Sequence, residues 1–144
     1  MATERHADVV WEGSLMEGSG TITKTGSGAL PELPVTWASR AESPDGRTSP
    51  EELIAAAHAA CFSMALSGGL ARAGNPPERL ETSATVTFVP GTGITKSALT
   101  VKGRVPGIDE DAFREAAEGA KEGCPVSNAL KGNVELELAV EFES

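Results

Sequence analysis

The alternation of apolar and polar positions divides the chain into strands, a long helix, more strands, a shorter helix and a last strand. DVVWEGS, GTITKTGSG and LPVTWASR predict a hairpin followed by a third strand. ETSATVTFVP and GITKSALTVKGRVPG predict a second hairpin, which turns at Pro90 and Gly91. NVELELAVEF alternates throughout and predicts a half-buried strand. Its inward-facing residues are Val134, Leu136, Leu138, Val140 and Phe142.

The clearest predicted element is a long helix that follows the turn-rich segment ESPDGRTS. Ser49 is the predicted N-cap, Pro50 takes the first helical position, and Glu52 stands where a capping box needs it. The helix is expected to run through LIAAAHAACFSMALSGGLARA to a stop at Gly74, with a glycine pair weakening its last turns. Because it is apolar nearly all round, we expect a buried central helix, too short and too well capped to span a membrane.

A second helix is predicted from its cap Asp109 through EDAFREAAEGAKE to a stop at Gly123. CPVSNALK then begins a further helical turn, with Pro125 at its first position. This order of elements predicts an α+β fold with antiparallel sheet, in a single domain over residues 1–144, rather than alternating βαβ units.

Charge and the N-terminal segment narrow the class of protein. The net charge of −9 argues against a nucleic-acid partner, which requires a basic face. MATERHADVVWEGS holds no apolar run long enough for a signal peptide, and no window is expected to reach a membrane span. We therefore expect a cytoplasmic protein without a membrane partner.

The sequence contains two cysteines, Cys61 and Cys124. In a reducing compartment such a pair is catalytic, redox-sensing or simply two buried thiols. Cys61 lies in mid-helix, where the helix dipole gives little help, so a thiolate there needs a cation close by. His58 shares its face and is a candidate base, although a histidine among alanines is more often a satisfied core residue.

Cys124 has a different setting, between the stop of one helix and the start of the next turn. It is a plausible N-cap, and the loop is expected to let it approach another sulfur, as a resolving thiol approaches an attacking one. The alternative is two separate, inert thiols. A zinc site built from His6, His58, Cys61 and Cys124 is disfavoured, because the sequence has neither CxxC nor HxxxH spacing.

TSPEELIAAAHAACFSMALS, GITKSALTVKGRVPGID and AKEGCPVSNALK strongly resemble the OsmC family, the osmotically inducible protein C proteins, which are close relatives of the organic hydroperoxide resistance proteins. The resemblance implies a thiol peroxidase in which Cys61 matches the peroxidatic nucleophile and Cys124 the cysteine that resolves its sulfenic acid as a disulfide. It also implies that Glu51 matches the family glutamate and Arg40, near the end of the third strand, the arginine that activates the thiolate. Arg47 is the competitor for that last role, but it fits a solvated loop better.

These residue types suit the implied chemistry. A thiolate attacks the peroxide O–O bond in line, and one guanidinium can face both the sulfur and the leaving alkoxide while a glutamate orients it. Ten helical residues span about 15 Å, so Glu51 is too far along the helix from its own Cys61. Two helices crossing antiparallel around Ala56 would bring each Glu51 to the other chain's Cys61. We therefore predict an intertwined homodimer with active sites at the interface; the resemblance also implies sheets wrapped around paired central helices.

The predicted reaction turns ROOH into ROH, and Cys124 then condenses with the Cys61 sulfenic acid and releases water. The resemblance implies reduction of the disulfide by an external dithiol or lipoyl-type reductant. We expect no bound cofactor and, from the spacing above, no metal. Phe62, Met64 and Leu66 are expected to favour alkyl peroxides. The alternatives are a non-enzymatic redox sensor or hydrophobic ligand-binding protein using the same pocket, or cysteines that serve packing alone.

Overall fold

The computed structural model describes residues 2–143, and the chain divides into two compact units, Met1–Leu53 and Ile54–Ser144. The first unit contains β1 (Ala7–Glu12), β2 (Ser19–Thr25), β3 (Leu33–Val35) and α1 (Trp37–Ala41). Helix α2 (Pro50–Arg72) begins in the first unit and continues in the second. The second unit adds β4 (Arg79–Val89), β5 (Gly93–Arg104), α3 (Glu110–Gly123), α4 (Pro125–Leu130) and β6 (Glu135–Glu143). The predicted α+β class is confirmed.

The first sheet has the order β1-β2-β3 with antiparallel pairing, so the predicted hairpin is confirmed. The third predicted strand is wrong in its second half, because the chain turns into α1 after Val35. Thr36 is the cap: its Oγ1 accepts from the Ser39 N–H at 3.0 Å, and the Ser39 Oγ accepts from the Thr36 N–H at 3.0 Å. This capping box starts a helix where β-propensity alone predicts a strand, and it places Arg40 on α1.

Helix α2 runs for 23 residues and passes through its glycine pair to Arg72. At its start the Ser49 Oγ accepts from the Glu52 N–H at 3.1 Å, whereas the Glu52 carboxylate accepts from the Thr48 hydroxyl at 2.7 Å. The predicted capping box is therefore only half formed. By length and composition α2 is able to cross a membrane, which corrects the expectation that no segment approaches a span. We interpret it as a core helix, because its fully buried residues pack inside the second unit.

Burial on α2 follows one stripe rather than the whole circumference predicted from its composition. The buried stripe consists of His58, Phe62, Leu66 and Leu70. The opposite face exposes apolar side chains, namely Ala56, Ala57, Ala60 and Met64. Met64 has 75% of its surface exposed. Residues 2–143 of a single chain thus leave one apolar face of this helix uncovered, in contrast to the fully buried helix that was expected.

The second sheet has the order β4-β5-β6. Strands β4 and β5 form the predicted antiparallel hairpin, with Gly91 in its turn at a φ of +85°. Strand β6 pairs with β5 in parallel, which corrects the prediction of an all-antiparallel sheet. The reason is the connection: α3 and α4 lie between β5 and β6, and a helical crossover returns the chain in the same direction. The alternating burial predicted for the last strand is confirmed.

Phe113 on α3 anchors the core of the second unit. It is fully buried, and its ring lies 5.4 Å from that of Phe142 on β6. Gly103 on β5 lies directly beneath this ring, and a Cβ built there would collide with Phe113 ring carbons. The sheet therefore needs a residue without a side chain at this point of β5.

Replacing Gly103 with Ala is expected to lower the free energy of unfolding by about 2 kcal/mol, because the added methyl group overpacks the core against Phe113. Gly119 in α3 is the matched control, since a Cβ there meets nothing within 4 Å. Gly119→Ala should raise the same free energy by up to about 1 kcal/mol through helix propensity. Chemical denaturation of both variants measures the difference, and equal effects of the two substitutions would contradict this account of the core.

Candidate active site

The two thiols of the chain lie next to each other inside the second unit. Cys61 projects from the middle of α2, and Cys124 occupies the junction at which α3 ends and α4 begins. Both are free thiols, and their side chains are hydrogen-bonded to each other. Cys124 is fully buried and Cys61 half-buried, which reverses the expectation of a mobile loop cysteine beside a buried helical one. The two side chains are nonetheless in hydrogen-bond contact.

The local environment shifts the pKa values of the two thiols in opposite directions. Burial and the hydrogen bond with Cys124 raise the pKa of the Cys61 thiol, against a smaller opposing effect of the Val126 amide. Burial also acts to raise the pKa of Cys124, but hydrogen bonds with Cys61 and with the Ser127 amide and hydroxyl outweigh it and lower that pKa. Cys124 is the N-cap residue of α4, as predicted, but its side chain makes no capping hydrogen bond. The two pKa shifts run in opposite directions because the thiols share one hydrogen bond, in which Cys61 donates and Cys124 accepts.

His58 lies one helical turn before Cys61 and is completely buried. Its Nδ1 is 2.6 Å from the Ser97 Oγ on β5, and its Nε2 is 2.8 Å from the Ser127 Oγ on α4. Burial lowers the pKa of His58, so the imidazole is neutral at neutral pH. His58 is thus a buried core histidine with both ring nitrogens hydrogen-bonded. One of its partners, Ser127, also hydrogen-bonds Cys124.

Sequence reasoning missed Ser97 and Ser127, although each left a signal. Ser97 occupies an inward-facing position of β5 in line with Leu99 and Val101, and a serine on an apolar face requires a buried partner. Ser127 stands three residues after Cys124 in the GCPVS segment, so one helical turn brings its hydroxyl back to the sulfur. Neither partner is evident from spacing alone, because the histidine that joins them comes from a distant part of the chain.

Arg40 and Glu51 form an ion pair in the first unit. The Arg40 Nε lies 3.1 Å from both carboxylate oxygens of Glu51, and its Nη2 lies 2.9 Å from Oε2. The Glu51 side chain is 7% exposed, whereas that of Arg40 is 31% exposed. Arg47, the competitor, is exposed and lies 3.7 Å from the exposed Asp45. Arg40 is thus the guanidinium that a buried carboxylate holds in one orientation, and its role in activating Cys61 stays a prediction.

Within residues 2–143 no group of three or more His, Cys, Asp or Glu side chains is arranged to hold a metal ion. His6, one of the four residues weighed for zinc, pairs instead with Asp8 at 2.9 Å. The predicted apolar lining is corrected in part, because Phe62 and Leu66 belong to the core. A groove of about 380 Å³ does lie between α2 and α3, and it is lined by Met64, Ala65, Gly68, Gly69, Arg72, Ala116, Gly119, Ala120 and Gly123.

Residues 43–139 match the family model described as OsmC-like protein, a span that includes Glu51 and both thiols. The chain belongs to the OsmC-like protein family. It is 44% identical over 140 residues to Peroxiredoxin OsmC of Escherichia coli strain K12, covering 95% of this chain and 96% of the relative. The family membership predicted from the sequence is confirmed.

The wider OsmC-like family is represented by two further relatives. The organic hydroperoxide resistance protein of Xanthomonas axonopodis pv. citri is 33% identical over 99 residues, 65% of this chain and 66% of the relative. The crystal structure of the organic hydroperoxide resistance protein OhrB of Bacillus subtilis superposes with a TM-score of 0.71 at 27% identity, over 96% of this chain and 98% of that one. The fold that the chain shares with this structure therefore agrees with the family that its sequence shows.

Proposed function

We propose that this OsmC-like chain reduces organic hydroperoxides with Cys61 and Cys124 as its redox-active pair. The observation that carries the proposal is the hydrogen-bonded contact between the two free thiols inside the second unit. The class of activity, a thiol-dependent peroxidase that detoxifies hydroperoxides, is the one named for the relatives and is confirmed as predicted. The assignment of roles to individual residues is our proposal.

In the proposed reaction the Cys61 thiolate attacks one peroxide oxygen, and the O–O bond breaks. Cys61 becomes a sulfenic acid, and the other oxygen leaves as an alkoxide that takes a proton to form the alcohol. The Cys124 sulfur then attacks the Cys61 sulfur, which forms the disulfide and expels hydroxide, released as water once protonated. An external dithiol, of lipoyl type, reduces the disulfide by two thiol exchanges, so no prosthetic group or metal takes part.

Cys61 is proposed to carry out the first step because it is the more accessible sulfur. Its surface is half-buried, whereas Cys124 is sealed from solvent. The raised pKa of Cys61 within its own unit means that a cation from elsewhere has to stabilise the thiolate. We assign that cation to Arg40, whose Nε and Nη2 both donate hydrogen bonds to the Glu51 carboxylate.

A homodimer would bring the Arg40–Glu51 ion pair of one chain to the Cys61 thiol of the other. The uncovered face of α2 is apolar and built mainly from alanine, as expected for helices whose backbones approach closely. Strand β1 is exposed along its whole length, with Val9, Val10 and Trp11 among its exposed apolar residues. Apolar surface of this extent is typical of a protein–protein contact. We propose that two copies pair through α2, so that Arg40 and Glu51 of one chain serve Cys61 of the other.

We expect light scattering to give twice the mass of the chain. Ala60→Glu places a charge on the uncovered face of α2 and should shift the protein towards the monomer, because an unpaired buried charge is costly at an interface. Arg114→Glu is the control, since Arg114 is an exposed residue of α3 outside that face. A monomeric parent protein, or equal dissociation of both variants, would contradict the proposed interface.

A turnover measurement separates the peroxidase from a sensor or ligand-binding protein that uses the same thiols. With excess dithiothreitol, a peroxidase consumes organic hydroperoxide continuously, whereas a sensor stops after one equivalent. Colorimetric determination of residual peroxide distinguishes the two.

We further propose that residues 1–144 act as one functional domain and that the protein works in the cytoplasm, where thiol reductants are available.

A further inference from the structure

A continuous chain of hydrogen bonds connects β5 to the thiol pair through the interior of the second unit. It passes from the Ser97 hydroxyl to the His58 imidazole, and from there to the Ser127 hydroxyl and the Cys124 sulfur. His58, Ser97, Ser127 and Cys124 are each at least 99% buried. Groups buried this deeply keep fixed partners, because water is not available to replace them.

The hydrogen-bonding capacity of each group fixes which group donates and which accepts along this chain of hydrogen bonds. A neutral imidazole has one N–H and one acceptor nitrogen. Among the described residues, the Ser97 hydroxyl is bonded to His58 alone, so its single proton is satisfied only if it donates to Nδ1. The imidazole proton then resides on Nε2 and is donated to the Ser127 Oγ. The opposite tautomer would leave the buried Ser97 proton without an acceptor, which costs more than the bond it makes.

This direction determines what Ser127 does to Cys124. Because the Ser127 oxygen already accepts from His58, its own proton is available to the cysteine sulfur. A donated hydrogen bond stabilises a thiolate in preference to a thiol. Every proton in the chain thus points towards the Cys124 sulfur.

We propose that His58 and Ser127 are positioning residues for the resolving cysteine, which hold Cys124 as an oriented thiolate for attack on the Cys61 sulfenic acid. Ser97 selects the histidine tautomer that this requires. The inference rests on the proposed Cys61–Cys124 disulfide. In the resolving step the thiolate electron pair forms the S–S bond, the Cys61 S–O bond breaks, and the oxygen leaves as hydroxide, which takes a proton to become water. His58 itself gains and loses no proton.

The same arrangement assigns a direction to the reduction of the disulfide. An incoming dithiol reaches the half-buried Cys61 sulfur rather than the sealed Cys124 sulfur. Its attack forms a mixed disulfide with Cys61 and releases the electron pair of the broken S–S bond to Cys124. A leaving thiolate that is stabilised by a donor departs faster, so Ser127 assists this step as well.

The test is rapid-quench oxidation of the full chain by an organic hydroperoxide, in which dimedone traps sulfenic acid and alkylation with intact mass follows the disulfide. Ser127→Ala and His58→Leu should each slow disulfide formation at least about tenfold, the lower end of the loss for one hydrogen bond to a charged group. The preceding oxidation of Cys61 should not slow, because a weaker donor to Cys124 shifts negative charge towards Cys61. His58→Gln keeps an amide donor for Ser127 and should restore part of the rate.

Ser63→Ala is the matched control. This serine also lies on α2, but its hydroxyl is hydrogen-bonded to the Ala59 carbonyl and to Thr82. It takes no part in the hydrogen bonds that run through His58. Both oxidation steps should keep the parent rate in that variant. Unchanged disulfide formation in Ser127→Ala and His58→Leu, or equal slowing of both steps, would overturn the inference while leaving the peroxidase proposal intact. Failure of the parent chain to form the disulfide would instead overturn the proposed function.

Discussion

A Cys61→Ser variant is expected to lose hydroperoxide reduction by at least about a thousandfold, because a serine hydroxyl is not ionised at neutral pH and attacks the O–O bond poorly. The thermal stability of the protein should change little, since the substitution is nearly isosteric at a half-buried position. Steady-state loss of an organic hydroperoxide with excess dithiothreitol measures the effect.

Cys124→Ser is the informative companion, because it removes the resolving sulfur and keeps the nucleophile. Without added dithiothreitol it should consume about one equivalent of peroxide per chain and form no intramolecular disulfide, and dimedone should label Cys61. This variant also removes the cysteine whose hydrogen bond raises the pKa of Cys61. If Cys61→Ser consumed about one equivalent of peroxide and dimedone labelled Cys124, while Cys124→Ser consumed none, the two roles would be reversed.

Much of the fold follows from local patterns in the sequence. The hairpin of β4 and β5 and the burial of alternate residues in β6 rest on period-two alternation around clear turn residues. Helix α3 begins after its predicted cap, where the Asp109 carboxylate accepts from the Ala112 N–H. These elements are predictable because the decisive interactions lie within a few residues of one another.

The errors arose where distant residues decide the outcome. The parallel pairing of β6 with β5 depends on a crossover through two helices, which strand periodicity does not report. Helix α1 replaces half of a predicted strand because the Thr36 capping box outweighs β-propensity over five residues. For the candidate site, the cysteines were evident as residue types, whereas the hydrogen bonds of His58 to Ser97 and Ser127 join positions 39 and 69 residues apart.

The largest consequence of the proposed dimer is that Arg40 activates Cys61 only across the interface. Arg40→Met should slow peroxide oxidation of Cys61 about a hundredfold, as expected for removal of a charged donor that stabilises the thiolate and the leaving oxygen. A mixed dimer of one Arg40→Met chain and one Cys61→Ser chain should recover about half of the parent activity, because one of its two sites is complete. Differently tagged chains, co-expressed and purified through both tags, provide this dimer for kinetics.

The reciprocal dimer makes the test decisive. It joins one parent chain to one chain that carries both Arg40→Met and Cys61→Ser. If each site takes its arginine from the partner, this dimer has no complete site, since the intact Cys61 faces a methionine. If arginine and cysteine of one chain act together, it keeps about half of the activity while the first mixed dimer has almost none. The two arrangements therefore predict opposite activities for the two mixed dimers. Because Arg40 and Glu51 of one chain are hydrogen-bonded to each other, they serve the same cysteine in either arrangement.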